Sequence, residues 1–503
     1  MIVRDLKNSG WMRRFLLLGL IGLILMSVHS TVISQTHTPN VIQGFDGNIV
    51  AEGVTGVTIA GGGDFSGPNR ALENFVAIGG GANNLAGGRN ATVAGGFGNQ
   101  AQGLRATVAG GFNNLAIGDF TNVAGGRGNQ ATGFIANIGG GANNTISGQF
   151  ANINGGRNNE VNGMESVVSG GAENIINGDN STIAGGANSN ISSENAFIGG
   201  GGNHIASGQF ATIGGGDGHI VSGLHATVGG GEDNSALAES STISGGANNA
   251  ASELFSTVSG GSGNQADGRS SVIAGGLNNQ AIGQSAVVGG GQGNVASGLF
   301  STVVGGNDNA AAGNFSVVLG QRANVDQAHT GAFLFSDSQG VDFFSESSNE
   351  FAVRAGGGVR FVSGIDEEGN PTSGVQLFSG GNGWSMLSDR NAKANFTLVD
   401  SQSILEQLSQ IPITHWNLKS QSEATLHIGP MAQDFYATFG LGESEQYIHS
   451  GDIDGVALSS IQALYQLSQS QAKRIVKLEE ENETLKTQLN DILSRLDKLE
   501  KGH

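Results

Sequence analysis

From Ile78 to Val318 an aliphatic β-branched residue recurs every 15 positions without a slip: Ile78, Val93, Val108, Val123 and onward, 17 aligned positions, all Val or Ile. Two residues before each stands a small side chain, except in the first repeat, which has Val76. Eight residues after each comes Ala, Val or Ile, until Asp326 interrupts the series. Two bursts of period-2 alternation per repeat, each closed by glycine, predict two short strands joined by tight turns. One repeat cannot bury its own apolar side chains, so successive repeats must stack strand on strand at about 4.8 Å. The expected object is a β-solenoid of 15-residue coils over 76–328, a rod of roughly 80 Å. Because its inward side chains are small, the core of an isolated solenoid should be thin, and trimerisation would thicken it.

The polar positions of the repeat are as regular. Six residues after the Val/Ile position comes Asn in 14 of the 17 repeats, with Ser189, His204 and His219 as exceptions. Asn at a turn suits left-handed backbone, and its stacking predicts a ladder of side-chain amides. His204 and His219, with His225 nearby, read as surface substitutions; a metal or anion site there would need several chains meeting at an axis, and no metal is assigned. A Thr column (Thr92, Thr107, Thr182, Thr212, Thr227) would suit an ice-binding face, but Ala, Asn and Val interrupt it.

Either side of the array the period is absent. Residues 35–75 read as an N-terminal cap or linker, and 329–387 as a β connector in which Phe333, Phe335, Phe343, Phe344, Phe351 and Phe361 build a bulkier core. From about Leu458 a helical heptad pattern places Ile475, Asn482, Leu489 and Leu496 at a, and Leu478, Leu485, Ile492 and Leu499 at d. That is a coiled coil in which Asn482 fixes register. At the other end, Met1–Ser34 joins basic residues Arg4, Lys7, Arg13 and Arg14 to an apolar run from Phe15 to Val28. The run is too short to span a bilayer of about 30 Å comfortably, so 1–34 reads as a secretory signal, with an uncleaved anchor extended by Thr31-Val32-Ile33 as the alternative, and no integral membrane domain is expected after signal removal.

Composition narrows the function. The chain has 503 residues, 87 of them Gly and only 5 Pro, with 13% charged residues and a net charge of −19. No basic face is available for nucleic acid. Without cysteine there are neither disulfides nor thiolate metal sites. Calcium-binding nonapeptide repeats load aspartate at each turn with a period of about 9, whereas this repeat carries Asn at 15, so calcium is excluded and no cofactor is expected. A glycan-degrading spike needs paired carboxylates in a groove, and the repeats offer no recurrent pair.

Candidate chemistry lies in Leu387-Ser388-Asp389-Arg390-Asn391-Ala392-Lys393. A serine five residues before a lysine can form a dyad in which the amine takes the hydroxyl proton and the alkoxide attacks a carbonyl. The same residues also fit a helix start, with Ser388 as N-cap and Lys393 solvated in the first turn. The flanking text decides: Gly383-Trp384-Ser385-Met386-Leu387 before it, then Ile411-Pro412-Ile413-Thr414-His415-Trp416-Asn417, His427-Ile428-Gly429-Pro430-Met431-Ala432-Gln433-Asp434-Phe435 and Asp454-Gly455-Val456-Ala457-Leu458.

This order resembles the endosialidase-type intramolecular chaperone family, over about residues 375–503. The resemblance implies a C-terminal domain that trimerises, helps an attached fibre to fold and then removes itself. It implies Ser388 as nucleophile, Lys393 as general base, Leu387-Ser388 as the bond cut, and Asn391 and Gln433 as supporting residues. The enzyme so implied is a self-cleaving serine peptidase acting once, in cis. Sialic acid chemistry is not implied, because no endosialidase catalytic domain is matched upstream. The array itself, in stretches such as Ser241-Thr242-Ile243-Ser244-Gly245, resembles the head repeats of YadA-like trimeric autotransporter adhesins. That resemblance implies a left-handed parallel β-roll in a homotrimer, without a C-terminal membrane barrel and with no particular ligand.

The expectation is mainly β: a left-handed parallel β-roll or solenoid of 15-residue repeats, trimeric, followed by an α+β chaperone domain (core 388–457, helix and coiled coil 458–503). Its function would be that of a secreted or cell-surface adhesin-like fibre. The alternative is an uncleaved structural or ice-binding solenoid with a permanent trimerisation tail.

Overall fold

The computed structural model describes residues 38–502, which form two compact units divided between Arg354 and Ala355. The signal-like segment lies outside the described residues. The first unit is a parallel β-solenoid. One ladder of 21 strands starts at Val41–Ile42 and ends at Phe351–Arg354; a second runs from Ile49–Val50 to Phe343–Phe344. Successive strands are in register one repeat apart, as in Thr92–Val93 on Thr107–Val108 and Gln100–Ala101 on Leu115–Ala116. At about 4.8 Å per coil the first ladder is about 95 Å long.

Each coil sends four side chains inward: for one coil, Asn84, Ala86, Ala91 and Val93, all fully buried. Small residues suffice because the coil is tight. The backbones of adjacent coils approach so closely that a Cβ on Gly81 (φ +78°) would lie 2.0 Å from the Gly96 carbonyl, and one on Gly88 would lie 1.9 Å from that of Gly103. The core is thus complete within one chain, which corrects the expectation that small inward residues leave it too thin. Thinness of the core therefore gives no argument for trimerisation.

The Asn column is a buried ladder. Asn129 donates both Nδ2 hydrogens, to Gly125 O at 2.8 Å and Gly141 O at 3.0 Å, while its Oδ1 accepts the backbone N–H of Asn144 at 3.0 Å. The left-handed position is the residue before it: Asn83, Asn113 and Asn143 have φ of 59°, 54° and 57°, and Gly98 and Gly128 fill the same place elsewhere. Turn former and amide ladder, expected of one residue, are two adjacent columns.

His204 and His219 are fully buried members of this ladder, not surface substitutions. The rings stack with centroids 5.1 Å apart. His204 Nε2 lies 2.9 Å from Gly200 O, its Nδ1 accepts from His219 N at 3.3 Å, and His219 Nδ1 accepts from Asn234 N at 3.1 Å. An imidazole with hydrogen on Nε2 reproduces the donor and acceptor of the Asn carboxamide. His225 is not in the ladder; it stacks on Phe210 at 4.7 Å.

The ladders extend past both ends of the regular array, through coils of other lengths. Ile59 pairs with Ile78, Val318 with Leu334, and Leu334 with Ala352. Ala310 pairs with Asn324 and Ala311 with Val325, a coil one residue short. That slip seats Ala323 and Val325 inside and explains why Asp326 breaks the apolar series. Of the aromatic residues expected to form a bulky connector core, Phe343 packs against the solenoid core, whereas Phe333 stacks on Phe351 at 4.9 Å on the outer face while Leu334 fills the interior. The Thr column also faces outward in the first ladder, broken by Asn122, Asn137, Asn152, Val167 and Phe197.

The second unit begins with an antiparallel hairpin, β1 (Gly358–Ile365) and β2 (Pro371–Phe378), joined by β3 (Ser385–Met386). Helix α1 (Ser401–Leu408) is capped by Asp400. Strands β4 (Thr414–Trp416) and β5 (His427–Gly429) pair, and α2 (Ala432–Phe439) closes on Gly440 at φ 65°. The long helix α3 (Ser450–Glu500) has 51 residues. Ile411, Phe435 and Val456 form a small core. Beyond Ala463 the apolar residues of α3, among them the a and d positions Ile475, Leu478, Leu485 and Leu489, are exposed. No helix among the described residues is long and apolar enough to cross a membrane.

Asn129→Leu should lower solenoid stability by about 3 kcal/mol or more, because two carbonyls and one N–H lose their buried partners, whereas Gln130→Ala should cost under about 0.5 kcal/mol; chemical denaturation of the two variants checks this. The His pair should make the solenoid acid-sensitive. Burial pushes both pKa values down; the His204 charge further lowers that of His219, and nearby carbonyls with Asp217, and for His219 also Asp233, only partly oppose this. Unfolded histidine takes its proton near pH 6.5, so below about that pH the unfolded chain binds more protons and stability falls. Melting temperature should drop between pH 7.5 and pH 5, and His204→Asn with His219→Asn should remove that part of the drop.

Candidate active site

The residues around the sequence-predicted dyad are shaped by two local devices. Upstream, β3 pairs with β2 (Val375 opposite Met386, Gln376 opposite Ser385), and the Leu387 N–H donates to Gly374 O at 3.1 Å. The chain is therefore extended up to the candidate scissile bond. Downstream, Asp389 caps a single 3-10 turn, Arg390–Ala392. Its Oδ1 accepts from Asn391 N at 2.9 Å and Asn391 Nδ2 at 3.2 Å, and the turn closes through Ala392 N to Asp389 O and Lys393 N to Arg390 O, both 3.2 Å.

This turn brings Lys393 back over Ser388. Lys393 Nζ donates to Ser388 Oγ at 2.6 Å, with both residues exposed in the single chain. The cap expected of Ser388 is made by Asp389 instead, which leaves the serine hydroxyl for the lysine. A hydroxyl in direct contact with an amine is the minimal nucleophile–base pair, and it stands on the residue whose own peptide bond would be cut.

The other named residues lie elsewhere. Asn391 binds Asp389 rather than the dyad. Gln433 sits in the first turn of α2 with its side chain exposed, and no hydrogen bond among the described residues joins it to Ser388 or Lys393. The sequence reading missed Asp389 and Gly374. The first had a signal, an Asp two residues before an Asn, the pattern of a side-chain-capped turn. The second had none, since only the strand pairing reveals its carbonyl as a partner of Leu387. No group of three or more His, Asp or Glu among the described residues is arranged to hold a metal.

The blocks that flank the dyad in sequence meet in space. His415 pairs with Ile428 and Trp416 with His427, while Ile411, Phe435 and Val456 pack together. Residues 388–440 match the family model described as chaperone of endosialidase. Residues 388–440 are thus similar to that family, and a parallel β-solenoid precedes them. The match starts at Ser388, the residue carrying the hydroxyl of the dyad, and takes in β4, β5 and α2. No curated protein matches the chain.

Proposed function

We propose that this chain is a subunit of an exported homotrimeric fibre, adhesive at a cell surface or after secretion, whose C-terminal domain drives assembly and then releases itself by cutting Leu387-Ser388. The contact of 2.6 Å between Lys393 Nζ and Ser388 Oγ, at the first residue of the matched domain, carries this reading. The assembly part is supported by α3, whose heptad residues Leu485, Leu489, Ile492 and Leu496 are 61, 57, 52 and 52% exposed in one chain. Four heptads of exposed a and d side chains call for partner helices.

In the proposed reaction a neutral Lys393 amine takes the Ser388 Oγ proton as Oγ bonds to the Leu387 carbonyl carbon. The C–N bond then breaks, and the lysine ammonium returns its proton to the departing Ser388 nitrogen. The resulting ester is hydrolysed by water, giving a Leu387 carboxylate and a new N-terminus at Ser388. A lysine in water holds its proton to a pH of about 10.4. Neighbouring subunits closing over the exposed dyad would desolvate it and favour the neutral amine, so that cleavage follows assembly.

Mass spectrometry of full-length protein should detect a fragment starting at Ser388, absent from Ser388→Ala and Lys393→Ala. The cleavage rate should rise with pH as the amine loses its proton. An intact wild-type chain would leave the tail as a permanent assembly domain and withdraw the peptidase. Sedimentation equilibrium should give a trimer mass for Ser388→Ala, lost on adding Leu485→Asp and Ile492→Asp; a monomer before those changes would overturn the assembly claim.

A further inference from the structure

The self-cleavage reading assigns chemistry to residues at and after Ser388 but leaves open what presents the bond. Ser385–Leu387 is held from two sides. On one side lies the hairpin β1–β2, upstream of the matched segment. Gly374 sits in it opposite Val362, at a point where the pairing register shifts, and its carbonyl accepts the Leu387 N–H at 3.1 Å. Only glycine fits there. Its φ is +146°, and a Cβ would meet the Phe361 carbonyl at 2.2 Å. On the other side is the start of α3: Ser450 Oγ donates to Met386 Sδ at 3.2 Å, and a Cβ on Gly451 would lie 3.3 Å from Met386 Cε.

Between these supports the acyl-side segment is an added antiparallel strand, along a groove of about 230 Å³ lined by Phe361, Val375, Phe378 and Met386. Strand addition fixes a backbone through main-chain hydrogen bonds and leaves the side chains free to vary. Leu387 fits that mode: its N–H is bound while its side chain is 40% exposed. We propose that the hairpin β1–β2 is the substrate-presenting subsite of the self-cleavage reaction, with Gly374 as a positioning residue that orients the Leu387 carbonyl toward Ser388 through the Leu387 N–H. The subsite reads backbone, not the Leu387 side chain. The contact of Met386 with Ser450 also ties the presented strand to the helix that carries the heptads, so ordering of that helix steadies the bond to be cut.

The proposal rests on the self-cleavage reading, and a time course of cleavage in full-length chains separates the two. Glu368→Ala, in the exposed turn of the hairpin and away from the presented strand, should be cut at close to the wild-type rate. Gly374→Val should be cut about tenfold more slowly or worse, the effect of losing one positioning hydrogen bond in the transition state. Its pH–rate profile should keep its position, because the Lys393 amine is untouched, and its assembled mass should be unchanged. If Gly374→Val fails to assemble, Leu387→Pro asks the same question by deleting the donor and leaving the hairpin sequence intact. Cutting of the assembled variant at the wild-type rate, a displaced pH profile, or an equal loss in Glu368→Ala overturns the positioning claim alone. An uncut wild-type chain instead overturns the self-cleavage reading beneath it.

Discussion

The first unit depends on one interaction, the hydrogen-bonded ladder of buried asparagine side chains. At each coil the backbone turns inward at a corner where two glycine carbonyls and one N–H would otherwise face an apolar interior, and unpaired backbone groups of this kind are rarely tolerated. A carboxamide meets all three, with two hydrogens diverging toward carbonyls of adjacent coils and an oxygen aimed at the next N–H. The three departures from Asn are consecutive, and the ladder weakens there. Ser189 is too short to bridge; its Oγ reaches only Ala187 O at 3.4 Å, and the neighbouring Asn190 Oδ1 is buried without a partner. The pair His204 and His219 restores most of the pattern, although His219 Nε2 makes no completed hydrogen bond. The segment between Asn174 and Asn234 is the least satisfied part of an otherwise uniform column.

The solenoid was legible because its constraints repeat. The inward positions, the parallel register and the amide ladder all followed from columns seen 17 times. What sequence could not supply was anything decided by a single coil's closure. That the small core is sufficient depends on how near adjacent coils approach, which residue types alone do not state. The outward turn of Phe333, and of Phe351 stacked on it, depends on a coil one residue long between Val317 and Phe333, which a fixed period cannot register. The buried histidines were misplaced because burial was judged from residue type rather than from the column they occupy. At the site, spacing and flanking blocks pointed to Ser388 and Lys393. Asp389 carried only the local signal of an Asp two residues before an Asn, and Gly374 was silent because it acts through its backbone carbonyl, whose partner is assigned by the strand pairing and not by side-chain identity.

The two units pose opposite problems. The solenoid buries its core within one chain, although phenylalanines such as Phe97, Phe112, Phe300 and Phe315 stand exposed on its outer faces. The second unit buries only a few residues and exposes most of the apolar face of a 51-residue helix, about 75 Å long. An isolated helix of that kind draws its stability from packing of its apolar stripe, so the need for partners resides in the segment that the proposed reaction would discard. The dyad follows the same division. Its geometry is assembled by a local turn, yet in one chain both side chains stand exposed to water.

Register supplies a reason for such a division. Within one chain, connectivity decides which coil lies on which. Between chains of the proposed assembly, nothing in the regular array does, because a slide by one coil sets Val or Ile against Val or Ile and Asn against Asn along most of its length. The positions that break this degeneracy are few: the short coil at Ala310–Asn324, the irregular first coils, and the segment from Ser189 to His219. A coiled coil is far more selective. Asn482 at a core a position favours alignment with its counterpart, since any slide buries the amide against leucine without a partner. In the proposed assembly, register set by that helix would be passed along each chain to its solenoid. On the proposed reading, once the coils had locked into place the helix would add nothing further to alignment, and its release would cost the assembly nothing.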